Sequence, residues 1–242
     1  MSLGSPARNK LPLHSMTKIF YLGSGLFGTL LLAGCASISV QPGTAVATQQ
    51  KPLKVYVEAF STEKGEFNVD RDGQELVEFK TDLQKMMVAG ITADLSKRLI
   101  PAVSAGNIDF SRRESAWLIR GEFVKVNQGS RLLRGAIGFG AGGTKFETRV
   151  EVYDLSTGAT QPFLTFATTG GSNAEPGALP TLATDPLTLV IEAAGGAGNV
   201  AHGVSEDTTR TAREITAELS DYMYRSHWIS EDKWIQPKAY SN

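Results

Sequence analysis

Cys35 is the only cysteine in the 242-residue chain, and it follows Leu32-Ala33-Gly34 at the end of an apolar run. A lone thiol cannot staple a core by a disulfide within its own chain, so its chemistry here is that of an attachment point. Gly138-Phe139-Gly140-Ala141-Gly142-Gly143 has the glycine density of a phosphate-cradling loop. A dinucleotide loop, however, needs a helix after the glycines, and a strand pattern follows here. No Gly-Lys-Ser/Thr run is present, and Thr144-Lys145 has the order reversed. Lys145, Glu147, Arg149 and Glu151 alternate along one segment. Paired carboxylates can do acid–base work. Alternating signs on the polar face of a strand point instead to cross-strand ion pairs, here with Arg120 and Glu122. His14 lies in the leading segment, and His202 and His227 have no second ligand nearby, so no metal site is expected. There is no Gly-x-Ser-x-Gly elbow. No catalytic residue emerges, and an enzyme is not expected.

Basic residues Arg8, Lys10 and Lys18 precede an apolar stretch from Ile19 to Ala33, with small residues at its end. That order is a secretory signal. The stretch is about fifteen residues, short of the roughly twenty that a membrane span needs. Met16 to Gly34 alone makes a compact signal, so Met16 is a second candidate start. Leu32-Ala33-Gly34-Cys35 looks like a bacterial lipobox, whose pattern is a Leu, two small residues and the Cys that is lipidated and becomes the mature N-terminus. An uncleaved anchor, or an ordinary signal with an incidental Cys, are the alternatives. The lipobox resemblance implies a diacylglycerol and an N-acyl chain such as palmitate on Cys35, enough for stable anchoring where one chain would be marginal. Ala36 and Ser37 follow the Cys in place of the Asp that commonly retains such proteins in the inner membrane, which implies the outer membrane with the domain facing the periplasm. The covalent lipid is the one non-protein group expected, and no cofactor is.

The organisation read from composition is a signal peptide over 1–34, a lipidated N-terminus and flexible tether over 35–53, a periplasmic domain over 54–228 and a tail over 229–242. Removing the signal takes three basic and no acidic residues, leaving 21 basic of the original 24 against 25 acidic. A chain of that balance is no nucleic-acid binder on bulk charge. Ala36 to Pro52 is rich in Ser, Thr, Ala, Gln, Gly and Pro and reads as a tether. Extended, it would reach about 55–60 Å, and relaxed about 20–25 Å.

Lys54 to Phe60 alternates, with Val55, Val57 and Ala59 on one face, which predicts a strand. Leu76, Phe79, Leu83, Met87, Ile91, Leu95 and Leu99 recur at helical spacing, and Pro101 stops that helix. Ala116 to Val126 predicts a strand with Trp117, Ile119, Gly121 and Phe123 inward. Thr144 to Asp154 predicts another, with Phe146, Thr148, Val150 and Val152 on one face. Asp154-Leu155-Ser156-Thr157-Gly158 predicts a turn, and Phe163 to Thr168 a returning strand. Leu187 to Ala194 is ambiguous between strand and helix. Ser205 can cap a final helix whose buried stripe is Ala212, Ile215, Leu219 and Tyr222. The predicted order is β-α-β-β-β-α: an α+β domain with a mainly antiparallel sheet, a long helix on one face and a C-terminal helix.

Gly121-Glu122-Phe123, Gly129-Ser130-Arg131-Leu132-Leu133-Arg134, Gly138-Phe139-Gly140-Ala141-Gly142 and Thr148-Arg149-Val150-Glu151-Val152-Tyr153-Asp154, with Thr157-Gly158 in the turn, form a combination. It resembles the bacterial lipoproteins of domain-of-unknown-function family 4410, over roughly Val55 to Tyr224. A more distant resemblance is to the curli-secretion channel lipoproteins and the N-terminal domain of TolB, through Val150, Val152, Asp154, Thr157 and Gly158. The channel family builds an oligomeric barrel from two extended hairpins per subunit. Arg131 and Arg134 interrupt the first such hairpin here, and the segment around Phe163 to Thr169 is too short for the second.

Two surfaces remain as contact candidates. Arg131, Leu132, Leu133, Arg134, Ile137 and Phe139 form either a flexible hairpin tip or a membrane- or partner-contacting loop. Trp228 and Trp234 either seal the domain or offer a partner surface. The expected function is an outer-membrane-anchored lipoprotein whose periplasmic domain binds or scaffolds an unknown envelope protein. The alternative is a subunit of an oligomeric envelope or secretion complex, a homo-oligomeric ring or pore.

Overall fold

The structure, a computed structural model, describes residues 37–48, 50–106, 113–129, 143–158, 160–171 and 202–239. Its strands are β1 (Ser37–Ala45), β2 (Lys54–Glu58), β3 (Glu66–Asn68), β4 (Ala102–Ala105), β5 (Ala116–Asn127), β6 (Lys145–Asp154) and β7 (Leu164–Gly171). Among the described residues there are also two helices, α1 (Gly73–Arg98) and α2 (His202–Arg225), and a 3-10 turn at Glu231–Lys233. The strands make one seven-stranded sheet in the order β1-β7-β6-β5-β2-β4, with β3 also pairing β5. Pairings β1–β7, β7–β6 and β6–β5 are antiparallel and long, while β5–β2, β2–β4 and β3–β5 are parallel and short. The fold is α+β.

Period-two alternation puts one face of every long strand inward. Trp117, Ile119 and Phe123 of β5 and Phe146, Val150 and Val152 of β6 are all buried in one core with Phe79, Leu83, Met87, Ile91 and Leu95 of α1. A bulge between Phe123 and Lys125 absorbs the extra residue Val124, so Phe123 and Val126 both face inward although three residues apart. Thr148, the one hydroxyl on the inner face of β6, is satisfied by Thr168 of β7 at 2.8 Å. Gly121 is inward because the Phe60 ring occupies its side-chain space, within 2.2 Å of where a Cβ would stand. The predicted turn is present: the Asp154 carboxylate accepts from the Ser156 N–H at 2.9 Å, and Gly158 takes φ +65.

Both helices lie on that inner face. α1 packs over β2 and β4, α2 over β1, β6 and β7, and the helices pack on each other. Ala212, Ile215, Leu219 and Tyr222 of α2 are buried as their spacing predicts. Ser205 is not its cap, because the helix already runs from His202 and Asp207 is enclosed beside β6.

Two expectations are corrected. Ser37 to Ala45 is not tether: it is strand β1, paired with β7 from Ser37↔Gly171 to Ala45↔Leu164. Ile38 and Val40 are buried, and this alternation was hidden among small polar neighbours. β7 can receive β1 so closely because Gly170 has no side chain: a Cβ there would meet the Ser37 carbonyl oxygen at 2.0 Å. Nor do the described residues 229–239 of the predicted tail hang free: Val40 N–H donates to the Lys238 carbonyl at 2.7 Å, and Ala239 bridges Val40, so this segment covers the edge of β1. The sequence at 187–194, ambiguous between strand and helix, lies outside the described residues.

Phe146→Ala should cost about 3–5 kcal/mol. Glu147→Ala, which loses a half-exposed pair with Lys145 at 2.9 Å, should cost roughly 0–1 kcal/mol. Thermal unfolding of the two variants checks this; equal losses would mean that β6 is shifted by one residue.

Candidate functional site

Cys35 lies outside the described residues, as do Arg131, Leu132, Leu133, Arg134, Ile137 and Phe139. What is described is where the chain approaches them. β1 starts at Ser37 opposite Gly171, the last residue of β7. β5 ends at Asn127 opposite Lys145, the first residue of β6. Phe146 pairs with Gly170, and Asn68, the end of β3, pairs with Asn127. All these residues therefore share one end of the sheet. α2 begins at the same end, where Asp207 bonds the Thr144 hydroxyl and takes Arg210 at 2.9 Å. Burial pushes the Asp207 carboxyl above its ordinary range, with the Thr144 and Arg210 bonds working against that.

Trp228 and Trp234 are both half-buried, and Trp228 packs against the core. Trp117, Phe163, Tyr222 and Trp228 form one aromatic cluster, with Trp117–Phe163 centroids 4.9 Å apart and Trp117–Trp228 6.0 Å apart. His227, at φ 60, turns the chain back after α2 so that Trp228 reaches the cluster. Trp234 stacks on Tyr224 at 5.2 Å and donates its indole N–H to Asp221 at 3.1 Å. Aromatic area of this size is most stabilising when closed against the core, which is why the two rings seal α2.

The aromatic cluster has a polar rim. The Tyr222 hydroxyl donates to the Val46 carbonyl and accepts from the Thr48 N–H, both at 2.8 Å. Beside it is a concavity of about 200 Å³ lined by Ala45 to Ala47, Leu164, Tyr222, Glu218, Asp221 and Arg225. Asp221 is paired with Arg225 at 2.7 Å. Burial, then the neighbouring Asp221, push the Glu218 carboxyl above its ordinary value, and Arg225 opposes the shift. Sequence reasoning misses this concavity because Ala45 to Ala47, which form part of its wall, carry the composition of a tether.

On the outer face of the sheet the charged residues are paired. Arg149 bonds Glu122 across β5 and β6 as predicted. Arg120 holds Glu58 of β2 through two bonds, at 2.6 and 3.1 Å. The Tyr153 hydroxyl donates to Glu151 at 2.5 Å, and burial with that bond pushes its pKa up to about 12. Among the described residues no group of His, Cys, Asp and Glu could hold a metal ion, and no helix is long and apolar enough to cross a membrane.

Glu218→Gln gives a pH-dependent expectation. A carboxyl whose folded pKa is raised binds its proton more tightly when folded, so stability falls as pH rises above the ordinary Glu pKa of about 4.3. Glu218→Gln should raise Tm by a few degrees at pH 7 and leave it unchanged below about pH 4. A calorimetric pH series checks this, and an equal effect at both pH values would contradict it.

No curated protein matches the chain. Among solved structures it is similar to the PelC dodecamer from Paraburkholderia phytofirmans at 10% identity and a TM-score of 0.34, over 72% of this chain and 96% of that one. A single-substitution variant of the same dodecamer gives the same identity and score, over 72% and 95%. The family described as a domain of unknown function, DUF4410, matches residues 55–186. That span runs from β2 through β7 and takes in more than half of the chain, and the protein belongs to the DUF4410 family.

Proposed function

We propose that this protein is an outer-membrane lipoprotein, lipidated at Cys35, whose periplasmic domain binds or scaffolds an envelope partner and performs no catalysis. The observation that supports this reading best is the position of β1. The first described strand starts at Ser37, two residues after Cys35. Cleavage before Cys35 would therefore leave every described strand and helix whole, while cleavage a few residues later would remove Ile38 and Val40 from the core.

The outer face of the sheet favours a binding role over chemistry. Glu58, Glu122 and Glu66 are engaged by Arg120, Arg149 and Lys125 in pairs between neighbouring strands. Such pairs leave a patterned, charged surface of fixed geometry.

Cys35→Ser removes the only thiol. It should abolish incorporation of labelled palmitate and leave a folded periplasmic protein that no longer sediments with outer membranes. Full retention in the outer-membrane fraction by the variant would overturn the lipid anchor. Envelope crosslinking of the lipidated protein, followed by affinity capture, tests the binding role: recovery of the chain crosslinked only to itself would favour the homo-oligomeric alternative.

A further inference from the structure

We infer that the end of the sheet carrying Ser37, Gly171, Lys145, Asn127 and Asn68 rests against the lipid headgroups, held there by a connection of a single residue, Ala36, between the anchor and β1. This rests on the proposed lipidation of Cys35. It differs from the ordinary picture of a lipoprotein domain hanging from a long tether, and it follows from how firmly β1 is seated.

Three sets of contacts hold the start of β1. Its backbone pairs with β7 through Ser37↔Gly171, Ile38↔Gly170, Ser39↔Thr169 and Val40↔Thr168. Ile38 and Val40 are buried in the main core. Toward β7 the Ser39 hydroxyl also donates to the Thr169 carbonyl at 3.2 Å, and on the opposite edge the Val40 N–H donates to the Lys238 carbonyl at 2.7 Å. Peeling β1 off to make a tether would expose two core side chains and break a buried ladder. The slack available is therefore the distance from Cys35 to Ser37, at most about 7 Å of extended chain.

An anchor that short determines which part of the domain meets the membrane. β6 runs ten residues away from Lys145, about 30 Å at roughly 3.3 Å per residue. The Asp154–Gly158 turn and the concavity at Glu218 are on the far side of the domain from the anchored end. Ser37, Asn68, Asn127, Lys145 and Gly171, described at that end, are small or polar, which suits contact with a headgroup layer. The orientation leaves the charged outer face of the sheet standing roughly along the membrane normal, open to the periplasm.

The test uses the lipidated protein in phosphatidylethanolamine–phosphatidylglycerol vesicles that contain a lipid with a nitroxide headgroup. A fluorophore is placed on Lys145→Cys or on Gln161→Cys, an exposed site beside the opposite turn. The mature Cys35 thiol is blocked by its lipid and takes no label. Quenching should be several-fold stronger at position 145 than at 161. Inserting twenty Gly/Ser residues between Ala36 and Ser37 should bring quenching at 145 down to the level at 161, with flotation on the vesicles retained. Equal quenching at both positions without the insert would overturn the orientation while leaving the anchor intact. Quenching at 145 that survives the insert would overturn the short connection as its cause. Failure of the uninserted protein to float would overturn the anchor itself and this inference with it.

Discussion

A seven-stranded sheet with both helices on one side must keep two chemistries apart on every strand. The inner face has to be apolar enough to hold α1 and α2. The outer face has to stay polar without leaving charges to repel each other. β5 and β6 meet both demands in one alternation: Trp117, Ile119, Phe123, Phe146, Val150 and Val152 turn inward, and Arg120, Glu122, Arg149 and Glu151 turn outward. The rest is built around that pair. Phe60 folds over Gly121, the bulge at Val124 restores the phase toward Val126, and the Thr148–Thr168 bond lets β7 join without an unsatisfied hydroxyl.

The first and last described segments close the same side of the domain. β1 extends the sheet past β7, and the residues after α2 return to cover its edge at Val40. Tyr222 and Trp228 join these pieces: Tyr222 binds the backbone leaving β1 at Val46 and Thr48, and Trp228 packs into the aromatic cluster on Trp117. An exposed edge strand invites pairing with other chains. Here the edge of β1 is covered at Val40 by the protein's own C-terminal segment.

Anchoring and folding are therefore coupled in the proposed function. A lipid on Cys35 would be joined to a residue that is already part of the sheet, so the membrane would hold a rigid body by one end. A domain presented in this way offers a fixed height and a fixed face to its partner, which a domain on a twenty-residue tether does not.

Long, strongly periodic segments were legible without coordinates. The α1 stripe from Phe79 to Leu95, the inward face of β6, the Asp154–Gly158 turn and the α2 stripe all depend on near neighbours in the chain, and each folded as its spacing predicts. The family was likewise readable from local residue order. β1, β3 and β4 were not, because they are short or composed of Ser, Gln, Gly, Thr and Ala, and they become strands only where β7, β5 and β2 offer a free edge. The packing of Trp228 and Trp234, the covering of β1 by Lys238 and Ala239, and the concavity at Glu218 all join residues far apart in the chain. Local sequence determined which segments have an apolar face; only the tertiary structure decided which strand edges and aromatic rings meet, because those pairings depend on long-range burial that no local pattern records.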